Sequence, residues 1–95
     1  MSETFEVVYR EDVEEDLAAL DLPVRRRLMD AVETRLSVSP ALYGKPLGGP
    51  LAGLRRIRVG DDRVGYQVKG RNVVIWAVQH RKIVYSILTR RWGTA

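Results

Sequence analysis

The fold is decided by residues 54–80, which read LRRIRVGDDRVGYQVKGRNVVIWAVQH. Apolar and polar residues alternate here with a period of two, which is typical of β-strands. The pattern predicts strands over about Leu54 to Val59, Arg63 to Lys69 and Asn72 to Gln79. Because the turns between them are short and rich in glycine, aspartate and asparagine, we expect an antiparallel meander.

The segments around this meander complete an α+β fold. Lys82 to Leu88 is interpreted as a further strand, which gives a sheet of about four strands. Alternation in residues 4–9 predicts a short first strand, and apolar stripes at helical spacing predict helices over Glu11 to Leu20 and Val24 to Val38. We therefore expect an N-terminal strand and a helical hairpin packed on one face of a curved antiparallel sheet.

Length and composition limit the class of protein. The 95 residues with 45% hydrophobic residues predict a single domain over residues 1–95. The sequence has no cysteine, no long apolar run and no signal peptide, so we expect a cytoplasmic protein that does not bind a membrane. One histidine and no cysteine make a metal or other cofactor unexpected.

Charge is divided between the two halves of the chain. Residues 1–54 hold 6 Lys/Arg against 10 Asp/Glu, whereas residues 55–95 hold 10 against 2. Arginine, which grips phosphate with two parallel hydrogen bonds, supplies 13 of the 16 cations. The composition favours RNA or DNA as a partner of the second half, and a merely solvated basic surface is the alternative.

Strand alternation predicts which of these cations share a face. Ile57 and Val59 on one face send Arg56 and Arg58 to the other, and the next strand brings Arg63 to that same face. Clustered guanidinium groups repel one another, and a phosphodiester between them would relieve the repulsion. The alternative is that these are ordinary polar residues on the outer face of the sheet.

Such a cluster could support cleavage of RNA without a metal. The RNA 2′-OH can attack the adjacent phosphorus if a base, an acid and a cation are arranged around it, and DNA has no such hydroxyl. For proton transfer the basic half offers Asp61, Asp62, His80 and its tyrosines. Because this set is weak, we expect a larger machine to hold the RNA in the reactive geometry.

Two segments resemble the RelE/ParE superfamily of toxins from bacterial and archaeal toxin-antitoxin pairs. They are residues 56–68, RIRVGDDRVGYQV, and residues 78–85, VQHRKIVY. The resemblance implies a RelE-like fold similar to microbial ribonucleases. It also implies an mRNA interferase that enters the ribosomal A site, contacts ribosomal RNA and cleaves the codon there, leaving a 2′,3′-cyclic phosphate. A cognate antitoxin would inhibit it in a hetero-oligomeric complex.

The resemblance also assigns roles to individual residues. Arg63 falls at the position of the family's phosphate-stabilising arginine, Arg81 at its second catalytic arginine and Tyr85 at its catalytic tyrosine. Arg56 and Arg58 fall where the RelE branch has lysines, and arginine there suits substrate binding better than proton transfer. His80, which precedes Arg81, is a further candidate substrate-binding residue.

Three functions remain open at this point. The first is the ribosome-dependent endoribonuclease, which the presence of Arg63, Arg81 and Tyr85 together favours. The second is a ParE-like inhibitor of DNA gyrase, which would share the fold but not the full catalytic set. The third is a catalytically inactive homologue that only binds its antitoxin.

Overall fold

A five-stranded sheet organises the protein, whose computed structural model describes residues 4–93. The strands are β1 (Glu6–Tyr9), β2 (Lys45–Pro46), β3 (Arg55–Val59), β4 (Asp62–Lys69) and β5 (Asn72–His80). The helices are α1 (Glu11–Ala18), α2 (Leu22–Leu36), α3 (Pro40–Tyr43) and α4 (Val84–Gly93), with a 3₁₀ turn at Gly49–Leu51. None of the helices in this part of the chain has the length and apolar character needed to span a bilayer.

The predicted meander of β3, β4 and β5 is confirmed. Both of its hairpins close with two-residue turns, since Val59 pairs with Asp62 and Lys69 with Asn72. Gly60 and Gly70 begin these turns, each with a φ of about +61°, a conformation that glycine adopts without steric cost. The turn chemistry read from the sequence therefore fixes the register of the sheet's centre.

The sheet is mixed rather than wholly antiparallel, which corrects one part of the expectation. The strand order is β1-β5-β4-β3-β2, and β1 runs parallel to β5, with Tyr9 opposite Ile75. The short β2 adds a fifth strand at the other edge through Lys45 and Pro46. The α+β class is as predicted, but parallel pairing depends on a partner about 66 residues away in sequence, which local patterns do not reveal.

Helices α1 and α2 cover one face of the sheet and form the larger core. Val13 and Leu17 of α1 and Leu28, Val32 and Leu36 of α2 are all buried there. They pack against the inward side chains of the meander: Ile57, Val64, Tyr66, Val73, Ile75 and Val78. The helical stripes predicted from the sequence are thus the core-facing stripes of the structure.

Helix α4 covers the opposite face, so the predicted strand over Lys82 to Leu88 is wrong. Its residues Val84 and Leu88 are buried against Trp76 and Ala77 of β5. The predicted helical hairpin, α1 and α2, packs on one face as expected, and α4 adds a layer on the other face. The run Ile83-Val84-Tyr85 has the β-branched and aromatic composition of a strand, and burial of residues spaced by four overrides that local preference.

Candidate nucleic-acid interface

Four cations project from the same face of three neighbouring strands. Arg58 of β3 lies directly opposite Arg63 of β4, and Lys45 of β2 lies directly opposite Arg56 of β3. Directly opposed residues point to the same side of a sheet, and Arg56 and Arg58 share a side because they are two positions apart. Gly65 lies opposite Arg56 and so belongs to the same face, and Leu88 of α4 packs against it. This is therefore the face that α4 covers.

The guanidinium of Arg63 folds over the β3–β4 turn. Its Nη1 donates hydrogen bonds to the carbonyl oxygens of Gly60 and Asp62, at 3.0 and 2.9 Å. The side chain is half-buried, whereas Arg58 beside it is exposed. Arg63 is therefore held in place by backbone acceptors and keeps further N–H groups for another ligand.

Arg81 lies just beyond the end of β5, close to the same turn. Its backbone N–H donates to the Asp61 carbonyl at 2.8 Å, which fixes this part of the chain against the β3–β4 hairpin. The side-chain contact, from Arg81 Nε to Asp61 Oδ1, is long at 3.9 Å and both groups are largely exposed. A pair of this kind contributes little and leaves the Arg81 guanidinium accessible to an anion.

His80 belongs to the other face of the sheet. It pairs with Asp62 and, by strand alternation, lies on the side of Val78 and the helical hairpin rather than on the side of Arg63. The backbone N–H of Lys82 donates to His80 Nδ1 at 3.1 Å. Nδ1 is then the acceptor, so a neutral ring carries its proton on Nε2.

Tyr85 lies in the first turn of α4, not in a strand. Its side chain is 39% exposed and its helix covers the sheet face that carries Arg63. Within residues 4–93, no hydrogen bond joins its hydroxyl to Arg63 or Arg81. The structure thus brings Arg58 and Arg63 side by side and places Arg81 at the adjoining turn, while Tyr85 lies on α4, the helix that packs on the same sheet face.

Gly65 lies directly opposite Arg56, on the sheet face that α4 covers. A Cβ at Gly65 would lie 2.7 Å from both Leu88 Cδ atoms. The missing side chain therefore lets α4 approach the sheet closely.

A buried ion pair that sequence reasoning missed holds α4 to the edge of β5. Arg91 donates to both carboxylate oxygens of Asp16, at 2.7 and 2.9 Å, and the Asp16 side chain is only 4% exposed. The same carboxylate accepts from the Val78 N–H at 3.0 Å and from Gln79 Nε2 at 2.6 Å, while Arg91 also donates to the Trp76 carbonyl. The hydrogen bonds to the Asp16 carboxylate raise the pKa of Arg91 above its usual value.

The position of this pair follows from where β1 ends. Tyr9, the last residue of β1, pairs with Ile75, and among residues 4–93 no strand continues along this edge of β5 beyond Ile75. Asp16 and Arg91 satisfy the backbone groups that the strand would have bonded. The sequence carried a signal, because Asp16, three positions after Val13, borders the apolar stripe of Val13 and Leu17 on α1 instead of lying at the centre of the polar face.

Trp76 and Trp92 complete the contact between α4 and the sheet. Their ring centroids are 4.8 Å apart at an interplanar angle of 85°, an edge-to-face pair. The Arg10 guanidinium lies 3.7 Å from the centroid of the Trp76 ring, on which it stacks. Trp76 is a buried core residue, and Trp92 is partly buried against the same cluster.

Metal-ligating residues do not cluster in the described part of the chain. Between residues 4 and 93, no group of three or more histidine, aspartate or glutamate side chains is arranged to hold a metal ion. The charged groups that the interface does offer are cations, which suit a phosphate or a carboxylate as the ligand.

The fold and this basic sheet face define a class of protein, the small α+β toxins of toxin-antitoxin systems. Residues 7–85 match the family model of the ParE toxin of type II toxin-antitoxin systems. The chain therefore belongs to this family and is a toxin of the RelE/ParE superfamily. A sequence comparison with curated proteins finds no match to the chain.

Solved structures of such toxins share the fold. A chain of the toxin-antitoxin complex RelBE2 from Mycobacterium tuberculosis is 30% identical, with a TM-score of 0.78 over 82% of this chain and 92% of that one. A double arginine-to-alanine mutant of E. coli toxin RelE in the free state is 22% identical, with a TM-score of 0.73 over 93% and 97%. A chain of the chromosomal ParDE system from P. aeruginosa is 17% identical, with a TM-score of 0.70 over 83% and 98%.

Proposed function

We propose that this toxin is a ribosome-dependent endoribonuclease that cleaves mRNA in the ribosomal A site and so inhibits translation. The observation that carries the proposal is the row of guanidinium groups on one sheet face, with Arg58 opposite Arg63 and Arg81 at the adjoining turn. A row of this kind matches the repeated negative charge of a nucleic-acid backbone. A target on the ribosome implies action in the cytoplasm.

The reaction we propose is attack by the RNA on itself. The 2′-oxygen forms a bond to the adjacent phosphorus as its proton leaves, and the bond from phosphorus to the 5′-oxygen of the next nucleotide breaks as that oxygen gains a proton. The products are a 2′,3′-cyclic phosphate and a 5′-hydroxyl. Arg63 and Arg81 would stabilise the charge that develops on the phosphate oxygens, while Arg56 and Arg58 hold the flanking backbone.

Tyr85 is the residue we propose for proton transfer. Two observations support it over His80: α4 packs on the sheet face of Arg63, whereas His80 alternates to the other face. The Tyr85 hydroxyl forms no hydrogen bond with either arginine within residues 4–93, and in this proposal the bound RNA lies between them. A ribosome that holds mRNA in line would supply that geometry.

We also propose a cognate antitoxin as partner. The chain of known structure that is 30% identical belongs to a toxin-antitoxin complex. An acidic antitoxin segment over Arg56 and Arg58 would neutralise their charge and block the RNA, in a hetero-oligomeric complex. Loss of antitoxin affinity on Arg56→Ala or Arg58→Ala would support direct cover of this face, and unchanged affinity would favour displacement of α4 instead.

The experiment is primer extension on a defined mRNA in a reconstituted translation system, with and without ribosomes. We expect cuts within A-site codons that need ribosomes and fall by about 100- to 1,000-fold for Arg63→Ala and Arg81→Ala, as for loss of one charge-stabilising donor. Tyr85→Phe should also lose activity. Arg26→Ala, which removes an exposed arginine of α2, is the matched control and should cut normally. Equal cutting by all variants would refute the assigned roles.

Inhibition of DNA gyrase is the second candidate, and the family model favours it because the match is to the ParE toxin over residues 7–85. A supercoiling assay with purified gyrase separates the two functions. Inhibition of supercoiling without mRNA cleavage would replace the endoribonuclease proposal. A folded chain that is inactive in both assays would be a homologue that only binds its antitoxin.

A further inference from the structure

The outer edge of the sheet carries a second group of basic side chains beyond the proposed catalytic residues. Here α2, α3, β2 and β3 surround a shallow depression of about 230 Å³. We call the polar side chains that line it the outer-edge cluster: Arg35, Tyr43, Lys45, Arg56 and Arg58. Ile57 is the remaining lining residue, so no carboxylate lines the depression.

Three of the four cations of this cluster have no side-chain partner in the part of the chain that the structure describes. In residues 4–93, no hydrogen bond or ion pair engages the side chain of Lys45, Arg56 or Arg58. Arg35, in the last turn of α2, donates to the Arg58 carbonyl at 3.3 Å. Lys45 and Arg56 are directly opposed across neighbouring strands, where like charges destabilise the sheet. An external anion would relieve this repulsion.

Tyr43 gives the cluster an aromatic surface. Tyr43 ends α3, and the residue is 55% exposed beside these cations. An exposed ring next to arginines is a surface on which a nucleic-acid base can stack, whereas the carboxylates of an acidic polypeptide do not stack on an aromatic ring. The combination therefore favours a single-stranded nucleic acid over an acidic protein segment.

The cluster continues directly into the proposed catalytic face. Arg58 belongs to the cluster and lies opposite Arg63, and only two strand spacings, about 10 Å, separate β2 from β4. We infer that the outer-edge cluster is an RNA subsite, in which Lys45, Arg35 and Arg56 bind backbone phosphates and Tyr43 stacks on a base next to the cleaved bond. The identity of the nucleic acid as RNA rests on the proposed function.

The test measures binding separately from cleavage. The probe is a fluorescein-labelled single-stranded RNA of about 12 nucleotides with 2′-O-methyl groups throughout, which cannot be cut by 2′-OH attack. Fluorescence anisotropy gives its Kd between about 50 and 200 mM KCl for the intact chain and each variant. Tyr43 and Lys45 are exposed, so their variants should fold, and unchanged thermal midpoints verify this.

Each variant has its own signature. Tyr43→Ala should weaken binding by about 5- to 100-fold without changing the salt dependence, and Tyr43→Phe should bind normally because the ring remains. Lys45→Gln should reduce the slope of log K against log salt by about 0.7, one phosphate contact on a single strand. Lys69→Gln makes the same charge change at the far end of β4 and should leave the slope unaltered.

Two results would overturn the inference. One is RNA binding by Tyr43→Ala and Lys45→Gln that is indistinguishable from that of Lys69→Gln. The other is unchanged RNA affinity together with weaker binding of poly-L-glutamate, which would make the cluster a surface for an acidic protein. Failure of the proposed function is separate, since a chain that never cuts mRNA on ribosomes can still show the expected binding signatures.

Discussion

The buried carboxylate of Asp16 provides the sharpest test of how α4 is held. Four donors converge on its two oxygens: two N–H groups of Arg91, the Val78 N–H and the Gln79 amide. Asp16→Asn keeps the shape but replaces one oxygen by an NH₂ group. Whichever way the amide turns, it then directs a donor at donors, and the Arg91 charge loses its buried partner.

The size of the effect follows from burial. Removing one partner of a buried ion pair costs about 3–5 kcal/mol. We expect the lower end, about 3 kcal/mol, because Arg91 is 15% exposed and its Nε also lies 3.4 Å from Asp12 Oδ2. A chain of this length has a free energy of unfolding of roughly 5–14 kcal/mol, so the loss is a large part of the total.

Urea unfolding followed by circular dichroism measures this loss. The midpoint should fall by on the order of 2 M with an unchanged m-value. Asp12→Asn is the matched control, since Asp12 is 29% exposed and its loss should cost under about 1 kcal/mol. Amide hydrogen exchange at Val78 should also become faster in Asp16→Asn alone. If Asp16→Asn costs no more than Asp12→Asn, the assignment of Asp16 as the residue that fastens α4 is wrong.

Three other substitutions test close packing and buried hydroxyl groups, each by its effect on stability. Gly65→Ala should lower the free energy of unfolding, measured in urea, by about 1–3 kcal/mol, because the new Cβ would lie 2.7 Å from Leu88. The loss should be much smaller in a Leu88→Ala background, and equal losses in both backgrounds would contradict this packing. Gly44→Ala should lower the thermal midpoint strongly, since its Cβ would overlap the Tyr66 hydroxyl, and a normal midpoint would show that α3 can move away. Burial raises the pKa of Tyr66 above its usual value of 10.0, so the tyrosine of the unfolded chain ionises first as the pH rises. The stability that this group contributes is fully present below pH 10, and above pH 10 the free energy of unfolding should fall by up to about 1.4 kcal/mol per pH unit. Tyr66→Phe should show a shallower fall, and identical slopes for the two chains would refute the shift.

Short-range patterns explain why the centre of the fold could be predicted and its far face could not. The meander depends on alternation and on turns that start with Gly60 and Gly70, all of which lie within one continuous stretch of sequence. Helix α4 depends on a surface that β4 and β5 supply. Leu88 packs there against Gly65 of β4 and Ala77 of β5. Its own sequence resembles a strand, so the helix becomes evident only when that surface is known.

The candidate site, too, could be predicted from the sequence only in part. Strand alternation and hairpin register were enough to predict that Arg58 and Arg63 share a face. Alternation also places His80 on the opposite face, a consequence that follows from the register once the strand is aligned with β4. The position of Tyr85 required the tertiary placement of α4, since a strand and a helix direct this side chain differently.

The arginines of this chain have two distinct uses, which composition alone cannot separate. Arg25 donates to carbonyl oxygens at the end of α1, Arg55 does the same at the end of α3, and Arg91 pairs with a buried carboxylate. These three cations stabilise the fold through hydrogen bonds to acceptors within the protein. Arg56 and Arg58, in contrast, have no such acceptors for their side chains in residues 4–93, and they stand on an open face beside a catalytic candidate. These unpartnered cations, and not the net charge of the chain, therefore indicate a polyanionic ligand.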